Sequence, residues 1–427
     1  MRLSTLSKEV IIIGAGAAGL MAARLLKEAK ISFRLLEARS RIGGRVWTTS
    51  TLPTVELGPE FLHGETPVTD SLIRESGLPD YDLHHDYYLY EGGKLRSVAG
   101  YWNQLKAVLG NIKSPKTDLS FDQYLKTQDH HSRDQQKLAR TFVQGFDAAE
   151  VTKISTQALS EIDEQVTDPK VRRLRRLLFG YSPLLGKLAD HFPSEILLSH
   201  VVEDIVWEKG RVQVSGLNTE TGVPFLLTGK MVLITIPISL LKTISLHPRP
   251  TRLEHFLDQN EMGQIVKMGV ELSEPLLRSD RRTAFPFVLA PDLHFTTWWG
   301  TQPIGWSFLT AWCGGEKAIA LAKLSSNKRK EILISDLSKI VKIPKDALRR
   351  KILRIHEHDW NGDPYSLGAY SYPSVRYEKP ARTPTVFDKT LFLAGEAFHP
   401  EMSGTVEGAL LTGRAAARKM IRFLSSY

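Results

Sequence analysis

Val10 to Ile13 is an unbroken run of β-branched residues, and after Gly19 the pattern changes period. Leu20, Ala22, Ala23, Leu25 and Leu26 recur there at helical spacing. The first run fits a parallel strand buried on both faces, and the second fits an amphipathic helix laid on it. SFRLLE from Ser32 predicts a second strand. LLSHVVEDIVW from Leu197 and GRVQVSGLNTETGVPFLLTGKMVLITIP after it alternate and turn as a β-meander. The last part, MVLITIPISLL from Met231, is broken by Pro237 and predicts a buried strand and its exit. Helical patterns fill much of 76–189. Residues 246–384 mix strands, GQIVKMGVEL from Gly263 among them, with a helix around Asn327 to Val341. Near the end, LFLAG predicts a short apolar strand that stops at Gly395, followed by a helix.

The junction of the first strand and helix carries chemistry. It reads Gly14-x-Gly16-x-x-Gly19 with Ala18 inside. Gly14 allows the tight turn, Gly16 lets a pyrophosphate approach the backbone, and Gly19 lets the helix pack close to the strand. The phosphates would meet free N–H groups at the helix N-terminus, where the dipole favours anions. The second strand ends in Glu37, followed by Ala38. An acid about 20 residues after the glycines can accept ribose hydroxyls. Strand, glycines, helix, strand and acid in that order predict dinucleotide binding. ARSRIGGRVWT then sets Arg39, Arg41 and Arg45 around Gly43 and Gly44, a second zone of phosphate contact that suits FAD better than NAD.

Composition narrows the alternatives. The chain has 427 residues, enough for two domains, and its 42% hydrophobic and 24% charged content is that of an ordinary globular protein. One cysteine, Cys313, excludes a disulfide framework and a cysteine-rich metal site, and no zinc spacing is present. No apolar run reaches the roughly 18 residues of a membrane span. Only nine residues precede Val10, too few for a secretory leader, so a cytoplasmic location is expected. The net charge of +9 admits a polyanionic partner. The densest basic run, VRRLRRLL from Val171, has helical spacing and is expected to be a solvated helix face. No nucleic-acid partner is expected.

The arginine-rich double glycine directly after the acid resembles the flavin-dependent amine oxidase family, and the resemblance covers nearly the whole chain. It implies an α/β (α+β two-domain) fold: a Rossmann-like FAD-binding domain with a substrate domain of mixed sheet plus helices. The cofactor domain would be discontinuous, at 1–75, 190–245 and 385–427, with 76–189 and 246–384 forming the substrate domain. VELGPEFLHG from Val55 resembles the segment beside the flavin ring, so Leu57, Gly58, Pro59, Glu60 and Phe61 would line the cofactor. His63 would stand near the substrate amine, or be a hydrogen-bonded loop histidine. Val202 would meet the adenine, and Thr235 marks the return to the nucleotide.

Lys267 matches a lysine that reaches flavin N5 through a water; an exposed strand lysine is the other reading. Trp360 and Tyr370 match the aromatic wall of the site, with core packing an alternative for Trp360. Gly395 and Glu396 would lie beside the ribityl and phosphate groups. Gly404, Thr405, Val406 and Ala409 would begin a helix aimed at the N1 and C2 carbonyl side of the ring, where reduced flavin carries negative charge. Covalent members carry a cysteine where this chain has Ala369, which implies non-covalent FAD.

The implied activity is oxidation of an amine to an imine, hydrolysed to aldehyde plus amine or ammonia, with oxygen reduced to hydrogen peroxide. Glu60 is expected either to attract a cationic amine or to be a bonded loop acid. Thr405 stands where monoamine oxidases have a tyrosine, so one wall is open and a longer amine, such as a polyamine, is favoured. Alternatives are an L-amino acid oxidase or another FAD oxidoreductase of the same fold, and a non-catalytic flavin-binding protein.

Overall fold

The computed structural model describes residues 6–51, 53–83, 86–98, 100–112, 117–128, 131–160, 173–276, 285–301, 303–376 and 383–425. The strand Leu6–Ile13 sits at the centre of the larger sheet, parallel to Phe33–Leu36 on one side and to Val223–Ile234 on the other. Val10 and Ile12 point to one face of the sheet and Ile11 to the other, and helices cover both faces, so all three are fully buried. The long strand Val223–Ile234 is shared. Its first half pairs antiparallel with Arg211–Asn218, and its last residues pair parallel with Leu391–Leu393. That second pairing brings the C-terminal segment beside the N-terminal glycines, although nearly the whole chain separates them.

Helix Ala17–Glu28 and helix Val406–Leu424 lie together on one face of this sheet. Gly413 makes the approach possible: a Cβ there would stand 2.1 Å from the Ala18 carbonyl oxygen. Glu407, in the first turn of the C-terminal helix, turns inward. It accepts the Val68 and Thr69 N–H groups at 2.9 and 2.8 Å and so caps helix Pro67–Ser76 from another segment.

Helix Tyr181–Ala189 also joins this core through Leu184, Leu185 and Leu188, and helix Thr251–Asp258 packs on the opposite face through Leu253 and Leu257. The boundaries drawn from the sequence leave both helices outside the cofactor domain.

A second sheet is built on Ile265–Leu272, antiparallel to Phe308–Gly314 and to Ile352–Glu357. Helix Ser326–Val341 and helix Gly315–Ala322 cover it through Leu333, Leu337 and Ala318. Helix Ser326–Val341 occurs where the sequence pattern puts it.

The basic run is different from expectation. Leu174–Leu177 is a strand, paired to Leu62–His63 and to Asp80–Asp82, not a helix face. Arg175 and Arg176 are buried, and Val171 and Arg172 lie outside the described residues. A pair of leucines around two arginines fits either period, and here tertiary pairing decided. Among the described residues no helix is long and apolar enough to cross a membrane.

Candidate active site

The glycine motif forms as its spacing demands. Gly14 adopts φ +104°, and a Cβ on Gly19 would fall 1.9 Å from the Gly14 carbonyl oxygen, so each glycine is required by geometry. Gly16 differs: nothing lies closer than 4.0 Å to a Cβ built on it. It opens onto one cavity of about 1380 Å³ that runs through the molecule. Helix Ala17–Glu28 begins there with no side-chain cap and no acid in its first turn, leaving its N–H groups for an anion.

Glu37 borders the same end. Its two carboxylate oxygens each accept one backbone N–H, from Ala15 and Arg39 at 2.9 Å, and each keeps a lone pair for a hydroxyl donor. Burial raises its carboxyl above the usual range, against those two donors. Ala38 and Val202 complete this end, while the Thr235 hydroxyl is spent on the carbonyls of Ile13 and Gly14.

The double glycine folds back on the first loop, with the Gly43 N–H donating to the Ala15 carbonyl at 2.8 Å. Its arginines have internal work. Arg39 holds Asp363 and Ser366 at 2.7 and 2.8 Å, and Arg41 donates to the carbonyls of Ile42, Gly44 and Val46. Arg41 does not line the cavity, so it braces the loop and is not a phosphate partner. Arg45 bonds the Ala369 carbonyl and Glu396, at 2.6 and 3.0 Å.

The C-terminal stretch closes the cavity from the other side. Glu396 is buried and accepts from Arg45, from the Ser371 hydroxyl at 2.7 Å and from the Gly404 N–H at 2.9 Å. It therefore fixes the turn before helix Val406–Leu424. Thr405 is the N-cap of that helix. Its hydroxyl accepts the Gly408 N–H at 2.9 Å and donates to the Met402 carbonyl at 2.7 Å. It offers the cavity a small wall and no free donor. Gly395, Val406 and Ala409 also face the cavity.

Lys267 is buried, not the exposed member of an alternating strand. Its ammonium donates to the Gly58 carbonyl at 2.9 Å and pairs with Glu60 at 2.7 Å. Of the two readings of Glu60, the structure fits the bonded acid, with side-chain donors. Arg176 and the Trp299 indole N–H, each at 2.9 Å, take its other oxygen. Burial alone would raise the Glu60 carboxyl, but Arg176 and Lys267 outweigh burial and hold it below the usual range. It is no free anion for a substrate cation, because internal donors already fill it. Glu56 lies near this group, and burial pushes its carboxyl up to about 7 despite donation from the Tyr181 N–H and the Thr48 hydroxyl.

Beyond Lys267 the cavity becomes aromatic. Trp299 stands with its ring 6.0 Å from the ammonium, tilted against Phe61 at 5.4 Å and stacked on Phe287 at 5.6 Å. Trp360 is nearly fully buried, with its indole N–H on the Leu57 carbonyl at 2.7 Å, beside Tyr370. The Tyr370 hydroxyl donates to the Phe146 carbonyl at 2.7 Å, and burial raises its phenol far above the usual range. His63 lies edge-on to Phe146 at 5.5 Å.

The site residues read from the sequence border this one cavity except Gly19, which stays inside the helix packing, and Arg41, which braces the loop. Arg176, Trp299, Glu56 and Asp147 were missed. Glu56 lies inside the VELGPEFLHG segment and Arg176 inside the basic run, but nothing local marks either as a partner of the site, and Trp299 and Asp147 sit in no motif.

The residues fit a flavin dinucleotide: an open glycine at an uncapped helix start, a hydroxyl-accepting acid beside it, and a second helix N-terminus at the far end. Comparison with known proteins agrees. The chain is 29% identical over 456 residues to polyamine oxidase 3 of Oryza sativa subsp. japonica, covering 96% of this chain and 88% of that protein. It is 27% identical to polyamine oxidase 2 of Arabidopsis thaliana over 473 residues, covering 100% and 91%. A solved putrescine oxidase with bound putrescine shares the fold at a TM-score of 0.83 and 20% identity, over 98% of this chain and 100% of that one. Residues 17–421 match the flavin containing amine oxidoreductase family, and the chain belongs to it: an oxidoreductase that acts on amines with a flavin cofactor, FAD in this family.

Proposed function

We propose that the enzyme oxidises a primary or secondary amine of the polyamine type at non-covalently held FAD, with oxygen as acceptor and hydrogen peroxide as co-product. The observation that carries this reading is the place of Lys267. It bonds the carbonyl of Gly58 on the cofactor side and stands by Trp299 on the aromatic side of one continuous cavity. When bound, FAD supplies the acceptor for a hydride from the carbon next to nitrogen.

The chain's own residues do the rest. The apolar rings of Trp299, Phe61 and Tyr370 exclude water and favour the neutral amine, whose lone pair supports the developing positive charge. Lys267, held by Gly58 and Glu60, keeps one hydrogen to orient a water. The start of helix Val406–Leu424 favours negative charge at its end of the cavity. Water then hydrolyses the imine to an aldehyde plus amine or ammonia.

The small Thr405 and the names of the relatives, polyamine oxidases and a putrescine oxidase, support a longer amine. Ala369 borders the cavity, and Cys313, the one cysteine, is buried in the core of the second sheet, away from the lining. Both support non-covalent cofactor. The division into cofactor and substrate domains is kept as proposed, with helices Tyr181–Ala189 and Thr251–Asp258 moved to the cofactor side.

Anaerobic titration of the holoenzyme tests the reading. Spermidine, spermine, putrescine, simple monoamines and amino acids are added in turn. Bleaching of the flavin absorbance by the amines supports it, and bleaching by none of them overturns it.

A further inference from the structure

The stretch 57–61 borders the cavity at every residue and lies outside helix and strand. With no ladder to hold it, its backbone depends on side chains from other segments. The Trp360 indole N–H donates to the Leu57 carbonyl at 2.7 Å, and the Lys267 ammonium to the Gly58 carbonyl at 2.9 Å. The Tyr181 hydroxyl donates to the Phe61 carbonyl at 3.2 Å. Two of these three donors already belong to the site. Tyr181, the first residue of helix Tyr181–Ala189, completes the set and also lines the cavity.

Tyr181 grips the other end of the stretch as well. Its backbone N–H donates to the Glu56 carboxylate at 2.5 Å, one residue before Leu57. Its own place is fixed. Gly180 adopts φ +77°, and a Cβ there would stand 2.4 Å from the Thr48 methyl group and 2.5 Å from a Glu56 carboxylate oxygen. The Thr48 hydroxyl accepts the Ser182 N–H at 3.0 Å and donates to Glu56 at 2.8 Å, and the Ser182 hydroxyl accepts the Thr48 N–H at 2.8 Å. Burial, with Glu56 and Glu407 nearby, raises the Tyr181 phenol far above the usual range. The hydroxyl therefore keeps its proton as a donor and is not an acid or base of the reaction. What it holds at the far end is Phe61, whose ring lies 5.4 Å from Trp299 and 6.1 Å from Phe287 in the aromatic wall.

We propose that Tyr181 is a positioning residue for amine binding: it clamps residues 56–61 at both ends and so sets the Phe61 ring against the substrate. Loss of its hydroxyl frees the Phe61 carbonyl and lets that ring turn. The Leu57 and Gly58 carbonyls keep Trp360 and Lys267, so the effect falls on the amine and not on reoxidation. The inference rests on amine oxidation in the same cavity.

The test is anaerobic rapid mixing of the holoenzyme with spermidine, putrescine and n-butylamine, followed by reoxidation in oxygenated buffer, with rates taken per bound flavin. In Tyr181→Phe the half-saturating amine concentration for flavin reduction should rise about fivefold or more, the weight of one hydrogen bond. The limiting rate of reduction and the rate of reoxidation should each stay within about twofold, as for an interaction that serves binding alone. A half-saturating concentration equal to that of wild type overturns the proposal, whatever the loss of stability or flavin content, because Tyr181 is then structural only. Reoxidation slowed as much as binding is weakened overturns it too. Phe61→Leu should weaken binding in the same way, and the double variant should add little; full additivity shows that the two residues act independently and overturns the proposal. If Tyr181→Phe yields no folded holoprotein, Ser182→Ala decides, since it loosens the same helix start and leaves the phenol in place: a raised half-saturating concentration supports the proposal and a wild-type value overturns it. Each of these failures sinks this inference alone, whereas a wild type reduced by none of the three amines sinks the amine oxidase reading with it.

Discussion

Lys267 and Glu60 form a buried ion pair at 2.7 Å, and Arg176 holds the other oxygen of the same carboxylate at 2.9 Å. The three side chains are all at least 95% buried in side-chain terms, at 4%, 3% and 5% exposure. Taking such charges out of water is expensive, and removing one partner leaves the others uncompensated. The pairing stores no special stability, yet it fixes where the Lys267 ammonium sits.

Glu60→Ala should therefore destabilise the protein by about 3–5 kcal/mol, because it strands two buried cations at once. Denaturant midpoints of wild type and variant check this. A loss below about 1 kcal/mol would show that the cations find other partners.

Lys267→Met keeps the length of the side chain and removes the charge. Reoxidation of the reduced holoenzyme by oxygen should slow by about tenfold or more, equal to about 1.4 kcal/mol in the barrier. Stopped-flow mixing with oxygenated buffer measures the rate. Unchanged reduction and oxygen reactivity would remove Lys267 from the mechanism.

Glu56 makes stability depend on pH, and the sign is fixed by the direction of its shift. Its carboxyl lies near 7 in the folded state against 4.5 as the ordinary value, so the native protein binds its proton more tightly than the unfolded chain does. That contribution is present in full below about pH 4.5 and is lost as pH rises towards 7. It is worth about 3 kcal/mol at about 1.4 kcal/mol per unit. Glu56→Gln should flatten the fall in denaturant midpoint between pH 5 and 7.5, and an unaltered slope would assign the effect elsewhere.

Gly16 and Gly19 should fail in different ways. A Cβ on Gly19 meets the Gly14 carbonyl at 1.9 Å, whereas one on Gly16 meets open cavity. Gly19→Ala is expected to lower the unfolding midpoint and impair folding. Gly16→Ala should fold, with near-native circular dichroism, and purify with little flavin. Full flavin content in Gly16→Ala would mean that the pyrophosphate does not pass there.

Thr405→Ala removes the N-cap of the C-terminal helix and should cost about 1 kcal/mol, with Thr405→Ser restoring most of it. Thermal unfolding of the three proteins measures the difference. Equal midpoints would leave the cap bonds to the Gly408 N–H and the Met402 carbonyl without energetic weight.

The sequence by itself determined the elements whose demands are local. Gly14 and Gly19 stand where the turn admits only glycine and Gly16 leaves its side open, Val10 to Ile13 is apolar on both faces because helices cover both faces of its sheet, and Glu37 follows at the interval set by one helix and one strand. LFLAG and the helix after it were legible for the same reason.

Tertiary structure alone decided what depends on partners far apart in the chain. Arg176 reads as a solvated cation until strand pairing turns it onto Glu60, which is itself paired with Lys267. Glu407 caps helix Pro67–Ser76 from the opposite end of the sequence. Asp147 carries no local signal, since an aspartate after a helix is ordinary, and its unmatched oxygen exists only because other segments build the cavity around it. Periodicity reports which face is buried, but the charge of a buried group and the donors it lacks are set by whatever the fold packs against it.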